Sequence, residues 1–153
     1  MTGQLLRTNK GTEEMTYEEI QRNFLGYAHM RDQLQLLVEE LKRISDELRL
    51  YEGSMKNVID KGFIAGAIEY EVISICIVNS YGLLQKSPNL IYALQGIRSR
   101  IGSLNTQLKF HLTRMQLGAL RESINSTLPS QAGDLKREID CCLVELKNFL
   151  ETI

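Results

Sequence analysis

Tyr70–Val78 reads YEVISICIV, and the fold of the chain turns on whether this stretch is a strand or a helix. Its β-branched residues suit a buried strand. A lone central strand would leave its backbone N–H and C=O groups unpaired, because no second run of this kind occurs beside which it could lie. The stretch is therefore read as part of a helix that starts after a Ser54 cap and runs to about Lys86. Gly62, Gly66 and Gly82 each cost such a helix about 1 kcal/mol, and Gly62 and Gly66 stand at the GxxxG spacing that permits close helix approach. Being apolar nearly all round, this helix is expected to be the most buried of the set. Glu69 and Glu71 interrupt the longer run Phe63–Leu84, whose longest unbroken apolar piece is Ile75–Val78. A membrane span wants ~20 mostly apolar residues, so no transmembrane segment is expected.

Upstream lies the best-signalled helix, read as 16–52. Thr16 and Glu19 have the spacing of a capping box, and Met15 and Ile20 that of a hydrophobic staple. Its core positions run Tyr17, Ile20, Phe24, Tyr27, Met30, Leu34, Leu37, Leu41, Ile44, Leu48 and Tyr51. After Met30 they alternate by four and three, which is a heptad seam. Gly53 ends the run. Residues 1–15 have no apolar core of a signal peptide and are read as a flexible leader.

Downstream, Ser87-Pro88 restarts the chain with a capping serine and a proline at the first helical position. A third helix over 88–127 presents Leu90, Leu94, Ile97, Ile101, Leu104 and Leu108. Beyond Leu108 the seam blurs, with Phe110, Leu117 and Ile124 forming a second stripe at intervals of seven. Pro129 is expected to stop this helix. The last, over 131–152, presents Leu135, Ile139, Cys142, Leu146, Phe149 and Ile153. Long helices joined by tight turns favour antiparallel neighbours. The expected fold is all-α: one domain over 16–153, an antiparallel up-down-up-down four-helix bundle with coiled-coil-like helices.

Composition agrees with a water-soluble domain: 43% hydrophobic, 24% charged, and a formal charge of −1 over 153 residues. That balance gives no global attraction to nucleic acid or anionic lipid. Charge is instead divided between helices. Tyr17–Glu52 carries five basic and eight acidic residues, Ser87–Thr127 five and one, and Gln131–Ile153 three and five. Arg100, Gln107, Arg114 and Arg121 recur every seven residues, a stripe suited either to phosphate or to the glutamates of the last helix. The second reading pairs Arg121 with Glu138 and Arg114 with Glu145 in one antiparallel register. Nucleic acid is then not an expected partner.

The chain has two histidines, His29 and His111, and none of the sequence motifs of a P-loop, a dinucleotide fold, a zinc protease or a serine hydrolase. The three cysteines, Cys76, Cys141 and Cys142, lack metal-ligand spacing. They read as reduced thiols, which places the protein in the cytoplasm. No catalytic residue, cofactor or metal is expected.

One short string offers an alternative. Arg22, Asn23 and His29 form an RN-x5-H pattern that resembles the motif of HEPN-family proteins, helical bundles that include metal-independent ribonucleases. That family usually carries it on a late helix, whereas here it lies on the first. The resemblance implies an arginine and a histidine meeting at a dimer cleft and acting on an RNA phosphodiester, in a ribonuclease or a toxin–antitoxin component.

The leading expectation is different: a non-catalytic protein that assembles with itself or with another helical protein. It rests on apolar surplus, since Leu36 and Leu50 share an off-seam face of the first helix and Phe110, Leu117 and Ile124 line the extra stripe of the third. A peripheral membrane or secretion-associated role is the remaining alternative.

Overall fold

The computed structural model describes residues 16–53, 68–116 and 128–153. Among them there is no strand, and the chain is all-helical: α1 Tyr17–Gly53, α2 Glu71–Asn79, α3 Tyr81–Leu84, α4 Pro88–Gln116 and α5 Leu128–Thr152. The run Tyr70–Val78 is therefore helix from Glu71 onward. Its surroundings differ from a single helix over 54–86. Residues 68–70 are not helical and Ser80 breaks the helix a second time; the Ser54 cap, Gly62 and Gly66 lie outside the described residues.

Both interruptions have identifiable causes. At the first, Asn105 of α4 takes the place of helical partners for Ile68: the Ile68 N–H donates to Asn105 Oδ1 at 2.8 Å, and Asn105 Nδ2 donates to the Ile68 carbonyl at 2.8 Å. Arg43 Nη2 holds the next carbonyl, that of Glu69, at 2.7 Å. At the second, the Ser80 hydroxyl donates to the Cys76 carbonyl at 2.5 Å, a back-bond that bends helices. Ser80 then offers its own carbonyl to the amides of Leu83 and Leu84, both at 3.0 Å, starting α3.

Helix α1 begins as its sequence dictates. The Glu19 amide donates to Thr16 Oγ1 at 3.1 Å and the Thr16 amide to Glu19 Oε2 at 3.3 Å, a reciprocal capping box. Met15, the outer half of the expected staple, lies outside the described residues. Helix α4 starts at Pro88, with the Ser87 carbonyl accepting from Leu90 at 3.0 Å; residues 117–127 are not described. Helix α5 starts three residues earlier than expected, and Pro129 sits in its first turn instead of ending the preceding helix. That position is tolerant, since a first-turn amide has no intrahelical acceptor to lose.

The seams predicted for α4 and α5 are buried from Leu90 to Leu108 and from Leu135 to Leu146, with Phe149 and Ile153 packed against the core. In α1, Leu34, Leu37, Leu41, Ile44, Leu48 and Tyr51 are buried, and Tyr27 and Met30 partly so. The same seam is open in the first turns. Tyr17 is 70% exposed and Phe24 69%, and Ile20 also faces solvent, contrary to their expected core role. The cause is length: α1, at 37 residues, extends past the ends of its neighbours.

Two antiparallel contacts show where those neighbours end. Against α2 and α3, Arg43 meets Glu69, Gln33 Oε1 accepts from Asn79 Nδ2 at 3.2 Å, and Met30 meets Gly82. A Cβ at Gly82 would stand 3.0 Å from Met30 Sδ, so the glycine permits this close crossing. Against α5, Ser45 meets Asp140, and Arg31 Nη1 donates to the carbonyls of Leu150 at 2.8 Å and Ile153 at 3.2 Å. A cation on these last carbonyls suits the negative end of the helix. Residues 17–26 of α1 lie beyond both. Helix α4 runs antiparallel to α5, its Tyr92 end near Glu145 and its Leu104 end near Gln131.

Candidate interaction surface

The exposed apolar residues are arranged by the way α1 and α2 pack. Helix α2 turns Ile73, Cys76 and Ile77 into the core. Ile75 and Val78 point the other way and are 55% and 73% exposed. This helix is therefore not buried all round: nothing among the described residues lies over its outer face. Leu36 of α1, exposed as expected of an off-seam residue, lies level with Ile75 and Cys76 in the α1–α2 register. Leu25 joins Tyr17 and Phe24 on the projecting turns of α1.

Of the remaining candidate interface residues, Phe110 is exposed. Leu117 and Ile124 lie outside the described residues, as does the side chain of Leu50. Ile75 and Val78 were missed at the level of sequence because all-round apolarity was read as all-round burial.

The charge ladder has a different register from the one expected. Glu138 is paired with Arg100, which stands three heptads before Arg121 on the same stripe. Helix α4 thus slides along α5 by whole heptads, a displacement that preserves the face and changes the partner. Arg121 and the side chain of Arg114, the expected partner of Glu145, lie outside the description.

Beside this pair a groove of about 690 Å³ runs between α4 and α5, with Tyr92, Arg100, Arg137, Glu138 and Cys141 on its walls. Its charges are largely matched: Arg100 with Glu138, and Arg137 with Asp134. A second cavity, of about 430 Å³, opens where Arg43, Glu69 and Asn105 hold the non-helical segment. Arg43 there binds Glu40 and Glu47, both at 3.0 Å. Burial alone would lower the Arg43 pKa, but these carboxylates and Glu69 outweigh it and raise it.

Reactive groups are few around these features. Cys141 is exposed, while Cys76 and Cys142 are buried and all three are free thiols. Burial, then Glu145 and Cys141, push the Cys142 thiol up to about 12. Burial and Glu40 raise that of Cys76 as well. Both buried thiols are thus held protonated and unreactive. Arg22, Asn23 and His29 are all exposed on α1, and the cavities described here are lined by other residues. Among the described residues no cluster of side chains is arranged to hold a metal ion, and no helix is long and apolar enough to cross a membrane.

Compared with known proteins, the chain matches no family model, no curated protein and no solved structure. The class that can be stated is that of an all-helical protein with an incompletely covered apolar surface.

Proposed function

We propose that the chain is a non-catalytic interaction protein, an up-down-up-down four-helix bundle that assembles with itself or with another helical protein. The supporting observation is the seam of α1. Its middle and later members are sealed inside the molecule, yet the same seam continues as exposed Tyr17, Ile20 and Phe24 past the ends of α3 and α5. Apolar side chains at coil spacing gain from burial, about 25 cal/mol per Å², and the overhang offers them to a helix from elsewhere. The free cysteines support a reducing, cytoplasmic setting.

Light scattering from low to high micromolar concentration tests the self-assembling form, with a mass above that of one chain expected. RNA incubated with the purified protein is expected to stay intact. A strict monomer at high micromolar concentration would remove self-assembly, and RNA cleavage that His29→Ala abolishes would overturn the non-catalytic reading.

A further inference from the structure

We infer that a second copy of this chain covers the outer face of α2 and α3, lying antiparallel across a two-fold axis at Val78. The inference rests on the self-assembling form of the function proposed above and adds its surface and register. From Val72 to Gln85 the chain carries no charged residue, although Ile75, Val78 and Tyr81 face solvent. A strip without charges is what a desolvated interface core requires. At its ends stand Glu71 and Lys86, both exposed. Neither has an ion-pair partner among the described residues.

The order of these residues is self-complementary, as an isologous interface demands. Val78 is the most exposed apolar residue of the strip, with Ile75 three residues before it and Tyr81 three after. An acid lies seven residues before Val78 and a base eight after. Turning a copy end for end about Val78 places Val78 on its own counterpart and Ile75 on the second copy's Tyr81. Glu71 then comes beside the second copy's Lys86, and each contact occurs twice. A parallel copy would bring acid to acid and base to base. Leu36, level with Ile75 on the neighbouring helix, forms the rim. The strip is narrow beside the ~800 Å² per partner of a standard interface, so the affinity expected is micromolar.

The full chain tests this by sedimentation and light scattering. Val78→Arg puts two guanidinium groups on the axis and is expected to weaken association about tenfold or more, with helicity and thermal stability kept because the position faces solvent. Glu71→Lys is expected to weaken it too, and adding Lys86→Glu to restore it. In a Cys141→Ser background, Val78→Cys is expected to give a disulfide-linked dimer under mild oxidation, read on a non-reducing gel. A dimer untouched by Val78→Arg but dissolved by Phe24→Arg would overturn this surface while leaving self-assembly standing. Failure of the charge swap to restore association would overturn the antiparallel register, and a wild type monomeric at high micromolar concentration would overturn both.

Discussion

Asp140 shows how single residues hold the helices in register. Its carboxylate accepts from Ser45 Oγ of α1 at 2.6 Å and from Lys136 Nζ at 2.7 Å. Burial would raise its pKa, but these two bonds, with the charges of Lys136 and Arg49, outweigh burial and lower it. A carboxyl whose folded pKa is depressed stabilises the protein above its unfolded value of about 3.9, and that contribution is lost as pH falls through the folded value. Asp140→Asn is expected to be less stable than wild type at neutral pH, by about 1 kcal/mol since the group is partly exposed. The gap should close as pH drops below about 4, which denaturant melts across a pH series would read. A gap independent of pH would show that the charge is not what matters.

At the scale of elements, the parts legible in the sequence were those whose signal is local or periodic. The capping box at Thr16, the Ser87-Pro88 restart and the seams of α4 and α5 needed nothing beyond nearest turns. What could not be read was where a helix gives way to a partner distant in sequence. Ile68 is held outside helical geometry by its bonds to Asn105, and no neighbour of Ile68 announces it; the trace in the sequence is an asparagine, a poor helix former, amid the leucines of α4. Likewise the heptad stripe of arginines identified a face of α4 without fixing which arginine meets Glu138, because sliding by whole heptads leaves the pattern unchanged. Asn105→Ala is expected to expose both backbone groups of Ile68, costing about 1–3 kcal/mol. It should also speed exchange of the Ile68 amide. Unchanged exchange at that amide would contradict the clamp.

For the whole molecule, the core is one cluster to which all the long helices contribute, with α1 carrying its longest continuous share. Burial of this kind was visible from the leucine spacing; exposure was not. Tyr17, Phe24, Ile75 and Val78 have core-type side chains, and only the lengths and placement of neighbouring helices decide that they stay uncovered. The cysteines give a measure of how tightly the whole closes. Cys141 is expected to react with a thiol reagent within the mixing time of a stopped experiment's first minutes, whereas Cys76 and Cys142 should wait for global opening. Mass spectrometry of the native protein would then show one label, rising to three in denaturant. Prompt double labelling of the native protein would mean that the helix carrying the second label, α2 for Cys76 or α5 for Cys142, loosens on its own.

Among the described helices the contact between α1 and α5 is the most extensive, and it joins partners far apart along the chain: 95 residues separate Ser45 from Asp140, and 119 separate Arg31 from Leu150. During synthesis α1 leaves the ribosome long before the helix that shields it. Until Asp140 to Leu150 emerge, one flank of α1 stays bare, and at that stage its exposed leucines leave the nascent chain open to aggregation.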